Sequence, residues 1–136
     1  MQIRTIAPHE TWDIRHRVMW PDKSIGFVKL DEDDAGEHYG LFAGEKRVSI
    51  VSVFWQGKEV QFRKFATLHE EQGKGYGTAL LREVFAQLEE RGCQRIWCNA
   101  RIEKAPFYEK LGMRRVGAAF LRDGLAYLMM EKSVEL

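Results

Sequence analysis

Apolar positions fall in blocks along the chain, and the spacing within each block predicts a different element. Gln2 to Ile6 reads as a short strand. Pro8 and His9 then introduce a helix carrying Trp12, Ile14, Val18 and Met19, which Pro21 stops. Residues 22–37 read as irregular. His38 to Ala43, Arg47 to Trp55 and Glu59 to Leu68 look like three consecutive strands, separated only by Gly44-Glu45 and Gln56-Gly57-Lys58. Turns that short predict antiparallel hairpins.

The period changes after Leu68. From Gly75 to Arg91, Tyr76, Leu80, Val84 and Leu88 recur every four residues, Leu81 and Phe85 broaden the stripe, and Gly92 supplies a stop. This pattern predicts an amphipathic helix with a glycine C-cap. Arg95 to Asn99 reads as a strand and Glu103 to Leu111 as a short helix closed by Gly112. Met113 to Val116 and Ala126 to Lys132 form a final pair of strands. The order β-α-β-β-β-α-β-α-β-β describes an α/β (α+β) protein, a mixed and mostly antiparallel sheet with helices on both faces. At 136 residues, with no linker or repeat, the chain is expected to be one domain over 1–136.

Charge adds an exclusion. The chain carries 21 Lys and Arg against 20 Asp and Glu, ten of each up to Leu68 and eleven against ten beyond it. So even a balance offers no broad field for nucleic acid or an anionic membrane, and a charged ligand must be held by a local arrangement. Cys93 and Cys98 are too few for a disulfide framework and read as small core residues in a reducing, cytoplasmic setting. No stretch approaches the length of a membrane span. Four scattered histidines and Cys93-x4-Cys98 have no metal-ligand spacing.

The local arrangement is Gln72-Gly73-Lys74-Gly75-Tyr76-Gly77-Thr78, placed where a strand ends and the clearest helix begins. Free N–H groups and the positive dipole end at a helix start attract phosphate, and glycines let the backbone come close to it. The nucleotide fingerprints do not match. Both GxxxxGK[ST] and GxGxxG, counted from Gly73, require glycine where Thr78 stands.

Gln72-x-x-Gly75-x-Gly77, following the strand Phe62-Arg63-Lys64-Phe65-Ala66-Thr67, resembles motif A of the GCN5-related N-acetyltransferase (GNAT) superfamily, [QR]-x-x-G-x-[GA]. Ala105-Pro106-Phe107-Tyr108-Glu109-Lys110-Leu111-Gly112-Met113 resembles its motif B, an FYEKLGF-type helix after the fifth strand, with Met113 in place of the usual Phe. The 33 residues from Gly75 to Tyr108 leave room for one helix and one strand, as in that family.

The resemblance implies acetyl-CoA as cosubstrate and no metal, in a cleft where the fourth and fifth strands splay apart. Phe65, Ala66 and Thr67 would lie beside the pantetheine arm. Gly73, Lys74, Gly75, Tyr76, Gly77 and Thr78 would cradle the pyrophosphate, with Gln72 bracing the turn. Tyr108 falls at the general-acid position, and a phenol with a pKa of about 10 is protonated at neutral pH and able to donate to a departing thiolate. Asn99 is carried as a cofactor contact, and Arg101 is left open. Where some relatives have a Glu base on the fourth strand this chain has Gln61, so Glu59, Glu70, His38, His69 and a water remain candidate bases.

The implied activity is acetyl transfer to a primary amine of a small molecule or peptide, by a monomer or homodimer. The alternative is a GNAT-like acyl-CoA-binding module without catalysis. Arg63, Lys64, Trp55, Tyr39 and the five acids between Asp31 and Glu37 are candidates for the amine site, and an acidic loop would suit a cationic amine. A solvated loop is the plainer reading of those acids.

Overall fold

The computed structural model describes residues 1–134; the last two positions of the expected 1–136 domain lie outside the described residues. Seven strands form one sheet in the order β1-β2-β3-β4-β5-β7-β6. They are β1 Gln2–Ile6, β2 Glu37–Ala43, β3 Lys46–Gln56, β4 Glu59–Thr67, β5 Arg95–Arg101, β6 Arg114–Arg122 and β7 Leu125–Ser133. All neighbours are antiparallel except β4 and β5, which run parallel. The parallel pair is joined by the helix α2, Tyr76–Glu90, because a parallel connection needs a crossover.

Both faces of the sheet are covered. Leu80, Leu81, Val84, Phe85 and Leu88 of α2 are buried, and Phe85 packs on Phe62 of β4 with ring centroids 5.6 Å apart. The short helix α3, Ala105–Glu109, meets the same face through Tyr108, 5.8 Å from the Phe62 ring. The other face receives the N-terminal helical stretch, where Arg15 reaches Ser52 of β3 at 3.0 Å.

Three elements differ from the pattern-based expectation. The N-terminal helix is a 3-10 turn over Pro8–Thr11, α1 over Trp12–Ile14 and a π-helical turn over Arg15–Met19. All three windings present nearly the same apolar positions, so periodicity cannot separate them. The helix expected over Glu103–Leu111 is a 3-10 turn, Ile102–Lys104, followed by α3. Strand β6 runs to Arg122, well past Val116, with a register shift between Val116 and Phe120 beside Gly117 at φ 74°. The small residues Gly117, Ala118 and Ala119 hide the strand signal at that bulge.

Candidate active site

The pairing of β4 with β5 is brief. Glu59, Val60 and Gln61 pair with Arg95, Ile96 and Trp97, and there the ladder ends. A bulge in β4 causes the departure: Ser52 and Ile50 of β3 pair with Arg63 and Ala66, so Lys64 and Phe65 together oppose Val51. Lys64 takes the left-handed conformation at φ 56°, uncommon for a residue with a Cβ. Beyond the bulge, β4 keeps β3 on one edge and β5 keeps β7 on the other, so the two edges that face each other are unpaired. Between them lies a cleft of about 1030 Å³.

The strand-to-helix turn closes one end. Gly75 is the N-cap of α2 at φ 86°, and no side chain caps the helix. The first intrahelical bond is from the Ala79 amide to Gly75 at 3.0 Å, leaving the amides of Tyr76, Gly77 and Thr78 without helical partners. A Cβ at Gly77 would stand 2.8 Å from the Phe65 ring, so glycine here allows the helix start to sit against β4. Gln72 donates through Nε2 to the Thr67 carbonyl at 3.0 Å and ties the turn to the end of β4. Uncapped amides at a helix start and open strand edges fit an elongated ligand with an anionic end and amide groups along its length. CoA is such a molecule.

Most residues named from the sequence line this one cleft: Phe65, Ala66, Thr67, Gln72, Gly73, Gly75, Tyr76, Gly77, Thr78, Asn99 and Tyr108. Lys74 does not. It is exposed and donates to Glu71 at 3.0 Å. Tyr108 is 9% exposed; burial and neighbouring Cys98 push its hydroxyl well above the ordinary phenol value, and no described residue hydrogen-bonds to it. Burial also pushes the Cys98 thiol up, to about 12. Both groups therefore stay protonated at neutral pH.

The four side chains considered as bases lie away from the cleft lining. His38 is buried, its ring nitrogens 2.7 Å from Ser52 Oγ and 2.8 Å from the Asp33 carbonyl. Glu59 pairs with Arg95 and Glu70 with Arg17. His69 sits exposed in a 3-10 turn. Gln61 lines the cleft. Among the proposed amine-site residues, Arg63 and Lys64 line it, whereas Trp55 and Tyr39 do not: Trp55 donates to Glu37 at 3.0 Å, and Tyr39 is buried.

The acidic loop also departs from expectation, because Asp33 is buried. Arg15 grips both its carboxylate oxygens at 2.9 Å. Burial pushes the Asp33 carboxyl up, but the Arg15 bonds, the Leu30 amide and the Arg15 charge outweigh it and hold it below the usual range. Sequence reading missed Val18, Met19, Trp20, Phe27, Phe107 and Arg122 on the lining. Of these only Phe107 had a local signal, as the neighbour of Tyr108 in the FYEKLG run; its ring stacks on Phe65 at 5.9 Å.

Residues 21–134 match the family model of the acetyltransferase (GNAT) domain. The chain belongs to the GNAT acetyltransferase family. A GNAT relative from Bacillus subtilis (strain 168), the uncharacterized N-acetyltransferase YitI, is 31% identical over 98% of this chain and 97% of its own length. The GNAT fold recurs in the ribosomal-protein-S18-alanine N-acetyltransferase of Escherichia coli, with a TM-score of 0.83 and 19% identity over 99% of this chain and 94% of that one. It recurs also in an aminoglycoside 6'-N-acetyltransferase complexed with coenzyme A, with a TM-score of 0.78 and 16% identity over 100% and 98% of the two chains. Among the described residues, no group of three or more His, Cys, Asp or Glu could hold a metal ion, and no helix is long and apolar enough to cross a membrane.

Proposed function

We propose that residues 1–136 form a single N-acetyltransferase domain that moves the acetyl group of acetyl-CoA to a primary amine in the cytoplasm. The observation that supports this most directly is the pair of open edges on β4 and β5, running from the uncapped start of α2 to the Tyr108 hydroxyl. The coenzyme A bound to the aminoglycoside enzyme supports the choice of cofactor.

Acetyl-CoA supplies an activated thioester, and the chain supplies everything else. The amides of Tyr76, Gly77 and Thr78 face its pyrophosphate, with Gly73 and Gly75 keeping the turn open. The free edge from Phe65 to Thr67 takes the pantetheine amides, and one N–H of that edge polarises the thioester carbonyl. Asn99 contacts the cofactor from the β5 side. The neutral amine adds to the carbonyl carbon, the C–S bond breaks, and Tyr108 gives its proton to the leaving sulfur. Nitrogen loses one proton, regained by Tyr108 through solvent, so amine and acetyl-CoA become amide and free CoA thiol. Because the four side-chain candidates stand off the cleft, water takes the proton from the incoming amine.

That none of the four candidate side chains lines the cleft gives the non-catalytic acyl-CoA-binding reading its one support. Free-thiol release from acetyl-CoA, measured against a panel of small amines and peptide N-termini, separates the two. Release with at least one amine is expected; acetyl-CoA binding with no release from any amine would select the binding module. Acetyl-CoA should raise Tm while ATP and NAD leave it unchanged.

A further inference from the structure

The cleft lining has a charge pattern that acetyl transfer as described above does not use. It includes five cations, Arg63, Lys64, Arg101, Lys104 and Arg122, but only two carboxylates, Glu71 and Asp123. The chain as a whole is at +1, so this excess is local. Glu71 is engaged by Lys46 and Lys74. None of the acidic residues at 31–37 lines the cleft, but Glu32 pairs with Arg63, as Glu103 does with Arg101, so the surplus rests on Lys64, Lys104 and Arg122 against Asp123. Asp33 is held by Arg15, Glu32 by Arg63, and Glu37 by Arg91. The electrostatic case for a cationic acceptor therefore fails.

Lys64 is the unusual member. It sits at the bulge and lines the cleft, and among the described residues it forms no ion pair. Both oxygens of Asp33 are already occupied by Arg15. Burial, then the charges of Arg63 and Arg15, press the Lys64 ammonium below its ordinary pKa. The charges of Asp33 and Glu32 temper this without either carboxylate bonding to Lys64, so a half-buried ammonium with no direct partner among the described residues is left for an anionic ligand group. Alongside it stands an apolar wall: Trp20 and Phe27 meet edge-to-face at 5.1 Å, and Phe27 is 51% exposed.

We propose that the acceptor is an amine that also carries an anionic group, held by Lys64 with Arg63 beside it, and an apolar body that rests on Trp20 and Phe27. This rests on the transfer reading above and narrows its substrate class to compounds resembling amino acids.

The test uses matched pairs that differ only in the anion, such as L-phenylalanine against phenethylamine and L-leucine against isopentylamine, with the aminophosphonate analogue of phenylalanine and spermidine added. Binding to the CoA-saturated protein is measured by calorimetry, and thiol release from acetyl-CoA is followed with the same compounds. At least one carboxylate or phosphonate member should bind about tenfold or more tightly than its uncharged-tail partner, the range expected for a hydrogen bond to a charged group. Which anion binds better distinguishes carboxylate from phosphate chemistry. In Lys64→Met the gap should close, and in Lys64→Arg it should persist. Unchanged CoA affinity in both variants reports that they are folded. No binding by any anionic member, a preference for spermidine, or a gap that survives Lys64→Met overturns the proposal. Anion-selective binding without thiol release supports it while overturning the transfer reading; thiol release without anion preference does the reverse.

Discussion

The two faces of the sheet handle buried polar groups in opposite ways. On the N-terminal face, Arg15, Asp33, His38 and Ser52 are all buried and bond to one another. Arg15 places its Nη atoms on Asp33, Ser52 and the Val28 carbonyl, and only its Nε lacks a partner. On the α2 and α3 face, the Tyr108 ring packs against Phe62 and Phe107, and its hydroxyl, at the cleft, has no hydrogen bond to a described residue. Both places bury chemistry-bearing side chains. A network whose partners all come from the protein is scaffold, whereas a polar group without one at the wall of a cleft is available to a ligand.

The sharpest way to break that contrast is Tyr108→Phe. Loss of a general acid is expected to lower kcat by about 10²–10⁴-fold. Stability should change little, because the hydroxyl faces the cleft and makes no hydrogen bond to a described residue that the substitution could remove. Steady-state kinetics with a thiol-trapping reagent and a urea melt give both readings. Undiminished turnover would return Tyr108 to the packed core and dissolve the distinction between the faces.

Asp33→Asn should do the reverse. It leaves the buried Arg15 charge uncompensated, a loss of about 3–5 kcal/mol in stability, while acetyl-CoA affinity of the folded variant changes little. The pH dependence has a definite sign. Because the folded Asp33 carboxyl lies below its unfolded value of about 3.9, its contribution is complete above that pH and is lost as pH falls through the lower folded value. Wild type and variant should thus differ most at pH 7 and converge only in acid. Urea melts at neutral and acidic pH measure the gap; a gap that grew on acidification would mean that the carboxylate does not hold Arg15.

The same contrast explains what could be read from the chain alone. Tyr108 was legible because it belongs to a short contiguous run, Phe107-Tyr108-Glu109-Lys110-Leu111-Gly112, and so was the turn from Gln72 to Thr78. The helix from Gly75 was legible because its stripe repeats over four turns, and the sheet with helices on both faces followed from element order. Asp33 looked solvated because Arg15, the partner that buries it, lies 18 residues earlier and nothing local joins the two. Other parts of the cleft lining were hidden for the same reason. Trp20, Phe27, Lys64 and Arg122 come from separate elements, and the β4 bulge that turns Lys64 has no residue signature.

A smaller effect is expected where the two motif segments touch. Gly77→Ala would push a methyl to within 2.8 Å of the Phe65 ring, which itself stacks on Phe107. Overpacking of this kind costs about 1–3 kcal/mol, partly offset by the roughly 1 kcal/mol that alanine gains over glycine in a helix. Stability measured by urea unfolding should therefore fall modestly. The double variant Gly77→Ala with Phe65→Leu should recover most of the loss, because the two substitutions share one contact. Additive losses would show that the ring was not the obstacle.

Lys74→Ala should have the smallest effect, although the position lies in the middle of the glycine-rich turn. Its ammonium is exposed and bonded to Glu71, and it does not line the cleft. An exposed charge already paired and screened by water contributes little, so the acetyl-CoA Kd is expected to change by less than about threefold. Anion binding at this turn then rests on the amides of Tyr76, Gly77 and Thr78, which no side-chain substitution removes. A tenfold weakening, growing at low ionic strength, would mean instead that Lys74 leaves Glu71 for the pyrophosphate and that the turn holds its ligand by charge as well as by backbone.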